Sequence, residues 1–282
     1  MKKLFSIGAI SAIGLVCIVL VNGCKPDRMT PERARAAREV ELRMAEAERE
    51  HQHLENQHVQ DEQHDHAQHE HQDSVTPRDA EQEHAEGLLE RVPLPEEYDG
   101  GKGPEHATLT APDTFKVQFV SSNGNFVVEC HREWAPIGVD RFYNLVVQGF
   151  FNEARFFRVV PGFVVQFGIH ADPALAAQWR EANILDEPVR QSNRKGTLTF
   201  AKSQAPNSRT TQLFINLSDN TPLDAQGFSA FGEVISGMST VEGITSKYGE
   251  QPNQMMIQTQ GNAYLKSNFP DMDYIKEAYI GE

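Results

Sequence analysis

The sequence is poor in cysteine, and this shortage limits how a fold can be stabilised. Three of the 282 residues are cysteines. Cys17 and Cys24 belong to an N-terminal apolar region, which leaves Cys130 alone in the rest of the chain. No internal disulfide is therefore available to a domain there. Cys130 alternates with Phe126 and Val128, which favours a small core residue over a nucleophile.

Basic residues are also scarce. The chain has 26 Lys and Arg residues against 40 Asp and Glu residues, and its formal net charge is −14. Proteins that bind nucleic acids need clustered basic residues to neutralise phosphate groups. The composition therefore argues against a nucleic-acid partner, and the length predicts one or two domains.

Residues 1–23 are typical of an export signal. Lys2 and Lys3 precede an apolar run from Leu4 to Val21, and the run ends in Leu-Val-Asn-Gly-Cys. This ending resembles a bacterial lipobox, which implies a cleaved signal peptide and a lipid on Cys24. The alternative is an uncleaved anchor, because the run is close to the ~20 residues that span a bilayer. Both interpretations predict a membrane-anchored protein of the cell envelope that faces the periplasm or the cell exterior.

Residues 24–113 have the composition of a charged stalk and linker. Thr30 and Pro31 are typical of a helix start, and the segment from Ala34 to Glu50 is rich in good helix formers. Its larger apolar residues form no sustained heptad pattern, so we expect an exposed helix or a disordered segment. Prolines and glycines between 93 and 104 then mark a linker into a folded domain.

A histidine-rich tract lies within this stalk, with seven histidines from His51 to His71. Neutral imidazoles bind Zn, Ni or Cu, so one hypothesis is capture of a divalent metal. The candidate ligands are His64, His66, His69 and His71. The alternative that we favour is a solvated spacer, because nothing in the tract fixes one coordination geometry. A third possibility is pH sensing, since histidines gain charge just below neutral pH.

Short strand patterns separated by turn signals follow the linker. Asn123-Gly124 is a strong hairpin signal, and a helical pattern runs from Pro136 to Gln148. A second helix is predicted over 237–248, and Met255 to Gln260 is predicted to be the last strand. Many short strands with only two helices predict a mainly β fold, a closed barrel capped by helices.

The stretch from Phe156 to Gly168 places two polar side chains within apolar runs. Arg158 lies in the first run and Gln166 in the second, with a Pro-Gly turn between them. A buried guanidinium is costly without partners. One interpretation is a structural arginine paired with a carboxylate. The other is that Arg158 and Gln166 stand at the edge of an apolar pocket and direct donors to a ligand carbonyl.

Four separated blocks of sequence form a specific pattern. They read Phe-Phe-Arg-Val-Val-Pro-Gly-Phe-Val-Val-Gln from 156, Gly-Thr-Leu-Thr-Phe-Ala from 196, Thr-Gln-Leu-Phe-Ile-Asn from 211 and Phe-Gly-Glu-Val from 231. In this order they resemble the cyclophilin family of peptidyl-prolyl cis-trans isomerases. The resemblance covers 114–260 and implies an eight-stranded antiparallel barrel with a helix at each end. The tail over 261–282 is too apolar to be free, so we expect it to pack on the barrel.

The resemblance also implies the site residues. Arg158 matches the catalytic arginine, and Gln166 is the second catalytic residue. The groups expected to bind substrate are Phe163, Val164, Ala201, Lys202, Gln212, Phe214, Leu223 and Phe228. Three positions depart from the family pattern: Phe157 and Phe228 replace histidines that are common there, and Pro222 replaces a frequent aromatic residue.

An enzyme of this kind needs neither a nucleophile nor a cofactor. Rotation about a peptide bond has a barrier of ~18–20 kcal/mol, and X-Pro bonds are those that populate the cis form appreciably. The catalyst must bind the twisted amide more tightly than either planar form. An apolar pocket can hold the proline ring while Arg158 donates to the prolyl nitrogen. The expected partners are proline-containing polypeptides.

Two other functions stay open from the sequence. The departures at Pro222 and Phe228 allow a prolyl-peptide binding module or chaperone with weak turnover. The histidine-rich stalk allows a metal-binding lipoprotein in which the barrel is only a scaffold. A proline-peptide isomerase assay separates the first from an enzyme, and metal binding after removal of the histidine tract tests the second.

Overall fold

The computed structural model describes residues 87–282, and one antiparallel sheet organises them. Its strands are β1 (Thr114–Ser121), β2 (Gly124–His131), β3 (Arg158–Val160), β4 (Val164–Phe167), β5 (Thr197–Phe200), β6 (Leu213–Asn216), β7 (Ala230–Ser236) and β8 (Ile275–Gly281). Their order in the sheet is β3-β4-β6-β5-β7-β2-β1-β8, with antiparallel pairing throughout. The prediction of a mainly β, eight-stranded antiparallel fold is confirmed.

Helices accompany the sheet on several sides. Those within residues 87–282 are α1 (Pro136–Val147), α2 (Pro173–Arg180), α3 (Met238–Glu242), α4 (Gln254–Gln260) and α5 (Asn262–Asn268), with 3-10 helices at Pro104–His106 and Thr221–Gln226. α1 begins with a proline, which suits the first turn because the N–H there has no partner in the helix. The helix predicted over 237–248 is the much shorter α3, and there are more helices than the two expected.

The curled sheet is not closed by a continuous strand pair, which corrects the expectation of a fully closed barrel. Its edge strands are β3 and β8. The chain just before β3 nevertheless meets the start of β8 through three backbone hydrogen bonds. These run from Ile275 N to Ala154 O at 2.8 Å, from Glu153 N to Ile275 O at 2.8 Å and from Phe156 N to Asp273 O at 3.1 Å. The edges therefore touch through the segment that precedes β3 and not through a β3–β8 ladder.

Aromatic rings dominate the main core between the sheet and α1. Phe119 stacks on Phe126 across the β1–β2 pair with ring centroids 4.7 Å apart, and Phe142 of α1 lies 5.2 Å from Phe231. Aromatic pairs of this kind add ~0.5–1.5 kcal/mol to the effect of burial. Cys130 is fully buried in this core, and burial raises the pKa of its thiol well above the ordinary value. It is therefore a core residue and not a nucleophile, as the sequence predicts.

The C-terminal residues contain a helix where the sequence predicted a strand. The expected last strand, Met255 to Gln260, lies in α4. The Asn253 side chain caps this helix by accepting a hydrogen bond from Met256 N at 3.2 Å. The eighth strand is instead β8, which pairs with β1. The residues after 260 thus contribute a strand to the sheet itself.

The edge of β8 is covered by a strap, which we define as residues 89–92. Glu90 and Glu282 exchange two backbone hydrogen bonds of 3.2 and 3.0 Å, and Val92 N donates to Ile280 O at 3.0 Å. An uncovered edge strand would present unpaired N–H and carbonyl groups to other chains. The strap therefore protects the last strand of the sheet.

Several predictions fall on residues outside 87–282 and stay predictions. They are the signal peptide over 1–23, lipidation of Cys24, most of the stalk, and the metal ligands His64, His66, His69 and His71. Within the described range, no helix is long and apolar enough to cross a bilayer. The same range brings together no group of His, Cys, Asp and Glu side chains suited to a metal ion.

Candidate active site

The β3–β4 hairpin places Arg158 and Gln166 side by side. The two residues are directly opposite each other in the antiparallel register, so their side chains leave the same face of the sheet. Gly162 in the connecting turn has a φ of 69°, a left-handed conformation that glycine adopts without strain. The Pro161-Gly162 turn therefore fits the register that brings the guanidinium beside the amide.

A chain of hydrogen bonds extends from Arg158 through two amides. Arg158 Nη1 donates to Gln166 Oε1 at 3.3 Å, and Gln166 Nε2 donates to Gln212 Oε1 at 2.9 Å. Gln166 is buried, whereas the Arg158 side chain is 22% exposed. These hydrogen bonds orient both amides and leave the guanidinium accessible from solvent. Three of the four polar residues predicted for the site therefore meet.

An apolar cluster lies beside this polar chain. It consists of the buried side chains of Val164, Phe214 and Leu223, packed against the partly buried Phe163, Ala201 and Phe228. The cluster is separate from the main core. The guanidinium carbon of Arg158 lies 5.7 Å from the ring centroid of Phe163, so the arginine borders the cluster. The structure thus brings together all six apolar residues predicted to bind substrate.

Lys202, the remaining predicted site residue, lies at the Phe228 side of the apolar cluster. Its ammonium is 5.6 Å from the centroid of the Phe228 ring and 3.7 Å from Asp186 Oδ1. The Phe228 ring in turn packs edge-on against Phe214, with centroids 5.8 Å apart. Because its side chain is mostly buried, Lys202 helps to enclose this side of the cluster.

The three positions that depart from the family pattern have clear structural roles. Phe157 is buried in a second hydrophobic cluster, where it packs with Ile257 of α4 and Leu265 of α5. Pro222 lies in the 3-10 helix that carries Leu223 into the apolar cluster. Phe228 is one wall of that cluster. Phe228 therefore keeps the cluster apolar, whereas Phe157 packs in a different cluster.

Glu250 is a charged neighbour of the site that the sequence analysis missed. Its Oε1 accepts a hydrogen bond from Arg158 Nε at 2.6 Å and lies 2.5 Å from Arg158 Nη2. Arg158 therefore shows a feature of each interpretation, because it is paired with a carboxylate and also borders the apolar cluster. The two residues are 92 positions apart in the sequence, so no local pattern connects them.

The sheet thus carries an apolar cluster beside a guanidinium and two amides, the combination that the family resemblance predicts. A family model described as Cyclophilin type peptidyl-prolyl cis-trans isomerase/CLD matches residues 114–262, more than half of the chain. The chain belongs to this family, and the predicted enzyme class is confirmed.

Two bacterial relatives agree with this assignment. The chain is 35% identical over 146 residues to a peptidyl-prolyl cis-trans isomerase of Acinetobacter baylyi, a match that covers 49% of this chain and 77% of that protein. It is 34% identical over 136 residues to peptidyl-prolyl cis-trans isomerase B of Escherichia coli, covering 45% of this chain and 82% of the relative. A solved structure of a cyclophilin type isomerase from Cryptosporidium parvum is 22% identical, covers 60% of this chain and 98% of that chain, and has a TM-score of 0.47.

Proposed function

We propose that this peptidyl-prolyl cis-trans isomerase acts through Arg158 on a proline ring held in the apolar cluster. The observation that carries the proposal is the contact between that cluster and the hydrogen-bonded chain of Arg158, Gln166 and Gln212. A proline ring gains roughly 25 cal/mol for each Å² of apolar surface that it buries there. The ring is then fixed next to the guanidinium.

Catalysis follows from a difference in hydrogen bonding between the planar and the twisted amide. The prolyl nitrogen of a planar amide has no free lone pair, because resonance delocalises it. As the bond rotates, the nitrogen becomes pyramidal and its lone pair can accept a hydrogen bond from Arg158. This interaction is stronger in the transition state than in either ground state, which is the condition for acceleration. Gln166 and Gln212 hold the donor in place, in the manner of a preorganised site.

The first test is a protease-coupled isomerisation assay of the full chain, purified in mild detergent, on a proline tetrapeptide. We expect catalysis above the spontaneous rate. Leu223→Ala should lower kcat/KM about tenfold, mainly through KM, because a buried leucine side chain contributes roughly 1.5–3 kcal/mol. Leu94→Ala, which alters a leucine that is 61% exposed, serves as the control. A wild-type chain that binds the peptide without exceeding the spontaneous rate would instead be a binding module.

We further propose that the enzyme is anchored at the cell envelope and acts on proline-containing envelope proteins. The support is the sequence of the N-terminal region, in which two lysines precede an apolar run that ends at Cys24. The histidine-rich stalk then acts as a spacer between the membrane and the domain. Metal binding by the stalk is the alternative role.

Lipidation can be tested at Cys24. Cells grown with an alkyne-labelled fatty acid should label the wild-type chain, and Cys24→Ser should abolish both the label and processing of the signal peptide. Cys17→Ser should leave the label unchanged and is the matched control. An uncleaved anchor would give a different pair of results. The wild-type chain would carry no label, and Cys24→Ser would fractionate with membranes at the same size and abundance as the wild type.

A further inference from the structure

The loop between α3 and α4 brings Glu250 to Arg158. Val159 N donates to Gly249 O at 3.2 Å, so the loop is bonded to β3 at the residue that follows the arginine. Gly249 has a φ of 48°, in the left-handed region that favours glycine. The carboxylate thus comes from a loop docked on the same strand as its partner.

Tyr248 holds this loop from the other side. Its ring packs edge-on against Phe269, with centroids 5.1 Å apart, and its hydroxyl donates to Asp271 Oδ2 at 3.2 Å. Lys247 Nζ also donates to Asp271 Oδ2, at 2.6 Å. The loop is therefore fixed both to β3 and to the segment after α5, which restricts where the Glu250 carboxylate can lie.

The carboxylate and an amide hold the guanidinium on two sides. Glu250 Oε1 interacts with Nε and Nη2 of Arg158, and Gln166 Oε1 accepts from Nη1. Each terminal nitrogen of a guanidinium carries two N–H groups, so one N–H on each is left for a ligand. The Glu250 side chain is 53% exposed and that of Arg158 is 22% exposed, which places the pair at the rim of the pocket.

We propose that Glu250 is a positioning residue of the isomerase that acts through Arg158, an inference that rests on the proposed role of this arginine. A long flexible arginine side chain samples many rotamers, and those directed away from the pocket cannot donate to the prolyl nitrogen. Glu250 restricts this rotation. It therefore raises the rate at which the bound peptide isomerises more than the affinity for the peptide, because the apolar cluster that holds the proline ring is unchanged.

The kinetic test compares variants of Glu250. Glu250→Ala should lower kcat about tenfold with KM changed less than about twofold. Glu250→Gln, which keeps an oxygen acceptor, should lose only about threefold. Glu277→Gln is the matched control, since that carboxylate is 42% exposed and pairs with Arg91 at 2.8 Å. A Glu250→Ala variant whose activity is within about twofold of the wild type contradicts the inference. A variant more active than the wild type also contradicts it, because the carboxylate would then compete with the peptide.

A double-mutant cycle tests whether Glu250 acts through the arginine. In an Arg158→Lys background, Glu250→Ala should change kcat by less than about twofold. A full tenfold loss in that background would show an effect by another route and would overturn the inference.

An NMR measurement gives a result that does not depend on activity. The Nε–H signal of Arg158, assigned by its absence in Arg158→Lys, should be protected from exchange with water in the wild-type chain and lost in Glu250→Ala at unchanged thermal stability. An unchanged signal would end the inference whatever the activity. If the wild-type chain is inactive but its signal is protected and is lost in Glu250→Ala, only the proposed function is contradicted.

Discussion

Arg158→Ala should lower kcat/KM by about 10²–10³, the loss expected when a donor aimed at a transition state is removed from a preorganised site. The apolar cluster does not depend on the guanidinium for its packing, since its members contact one another. Peptide binding should therefore change little, and most of the loss should appear in kcat. The protease-coupled assay measures kcat/KM, and NMR exchange spectroscopy on the same peptide separates the two parameters.

Two further arginine variants serve as comparisons for Arg158→Ala. Arg158→Lys keeps the charge but has no planar set of donors, so its activity should fall between those of the wild type and Arg158→Ala. Arg91→Ala removes an arginine that is 53% exposed on its side chain and paired with Glu277, and it should retain full activity. An Arg158→Ala chain with more than half of the wild-type kcat/KM would exclude the proposed mechanism.

Glu187→Ala should destabilise the domain by roughly 3–5 kcal/mol, because it removes the carboxylate partner of a buried arginine. The Glu187 side chain is 5% exposed and that of Arg209 is 2% exposed, and they are joined at 3.0 Å. The same carboxylate accepts hydrogen bonds from the backbone of Ile137 at 2.7 Å and Gly138 at 2.9 Å, in the first turn of α1. The variant therefore also leaves the start of this helix without an acceptor.

A second arginine close to this pair should increase the effect of Glu187→Ala. Burial, together with the like charge of Arg209, lowers the pKa of Arg141 to about 10. Glu187→Ala removes the carboxylate bonded to Arg209 and leaves Asp186 Oδ1, 4.0 Å from Arg209 Nε, to offset this repulsion. Calorimetry should show a fall in Tm of roughly 6–20 °C. Glu133→Ala, at an exposed glutamate just before α1, should change Tm by less than 2 °C or so, and an equally small change for Glu187→Ala would refute the argument.

The pocket was largely predictable because its residues lie in short blocks with strong local patterns. Arg158 and Gln166 flank a Pro-Gly turn, and a hairpin of this length places them opposite each other. Phe214 is opposite Gln166 in the next strand pair. The family resemblance supplied the order of the blocks. The strand pattern then determined which side chains share a face.

Glu250 and β8 could not be predicted in the same way, because both depend on contacts between distant parts of the chain. Glu250 lies in a loop whose local sequence gives no indication that it docks on β3. Met255 to Gln260 is a short segment of three apolar and three polar residues, in which helix and strand periodicity are hard to distinguish. Asn253 just before it is an N-cap signal of a helix start, and it indicates the correct answer. β8 pairs with β1, which lies more than 150 residues earlier in the chain.

The strap over 89–92 has a mechanical consequence under the proposed anchoring of the N-terminal region. Tension applied through the residues before 87 reaches Leu89 first, which is hydrogen-bonded to Gln118 of β1 and Tyr279 of β8. It then reaches the paired backbones of Glu90 and Glu282 and the bond between Val92 and Ile280. Force is thus transmitted into the edge of β8, next to the C-terminus. The side chains of the pocket are carried by other strands and bear none of this initial load. If the proposed anchoring is correct, a pull on the domain through its N-terminal region therefore preserves the geometry around Arg158.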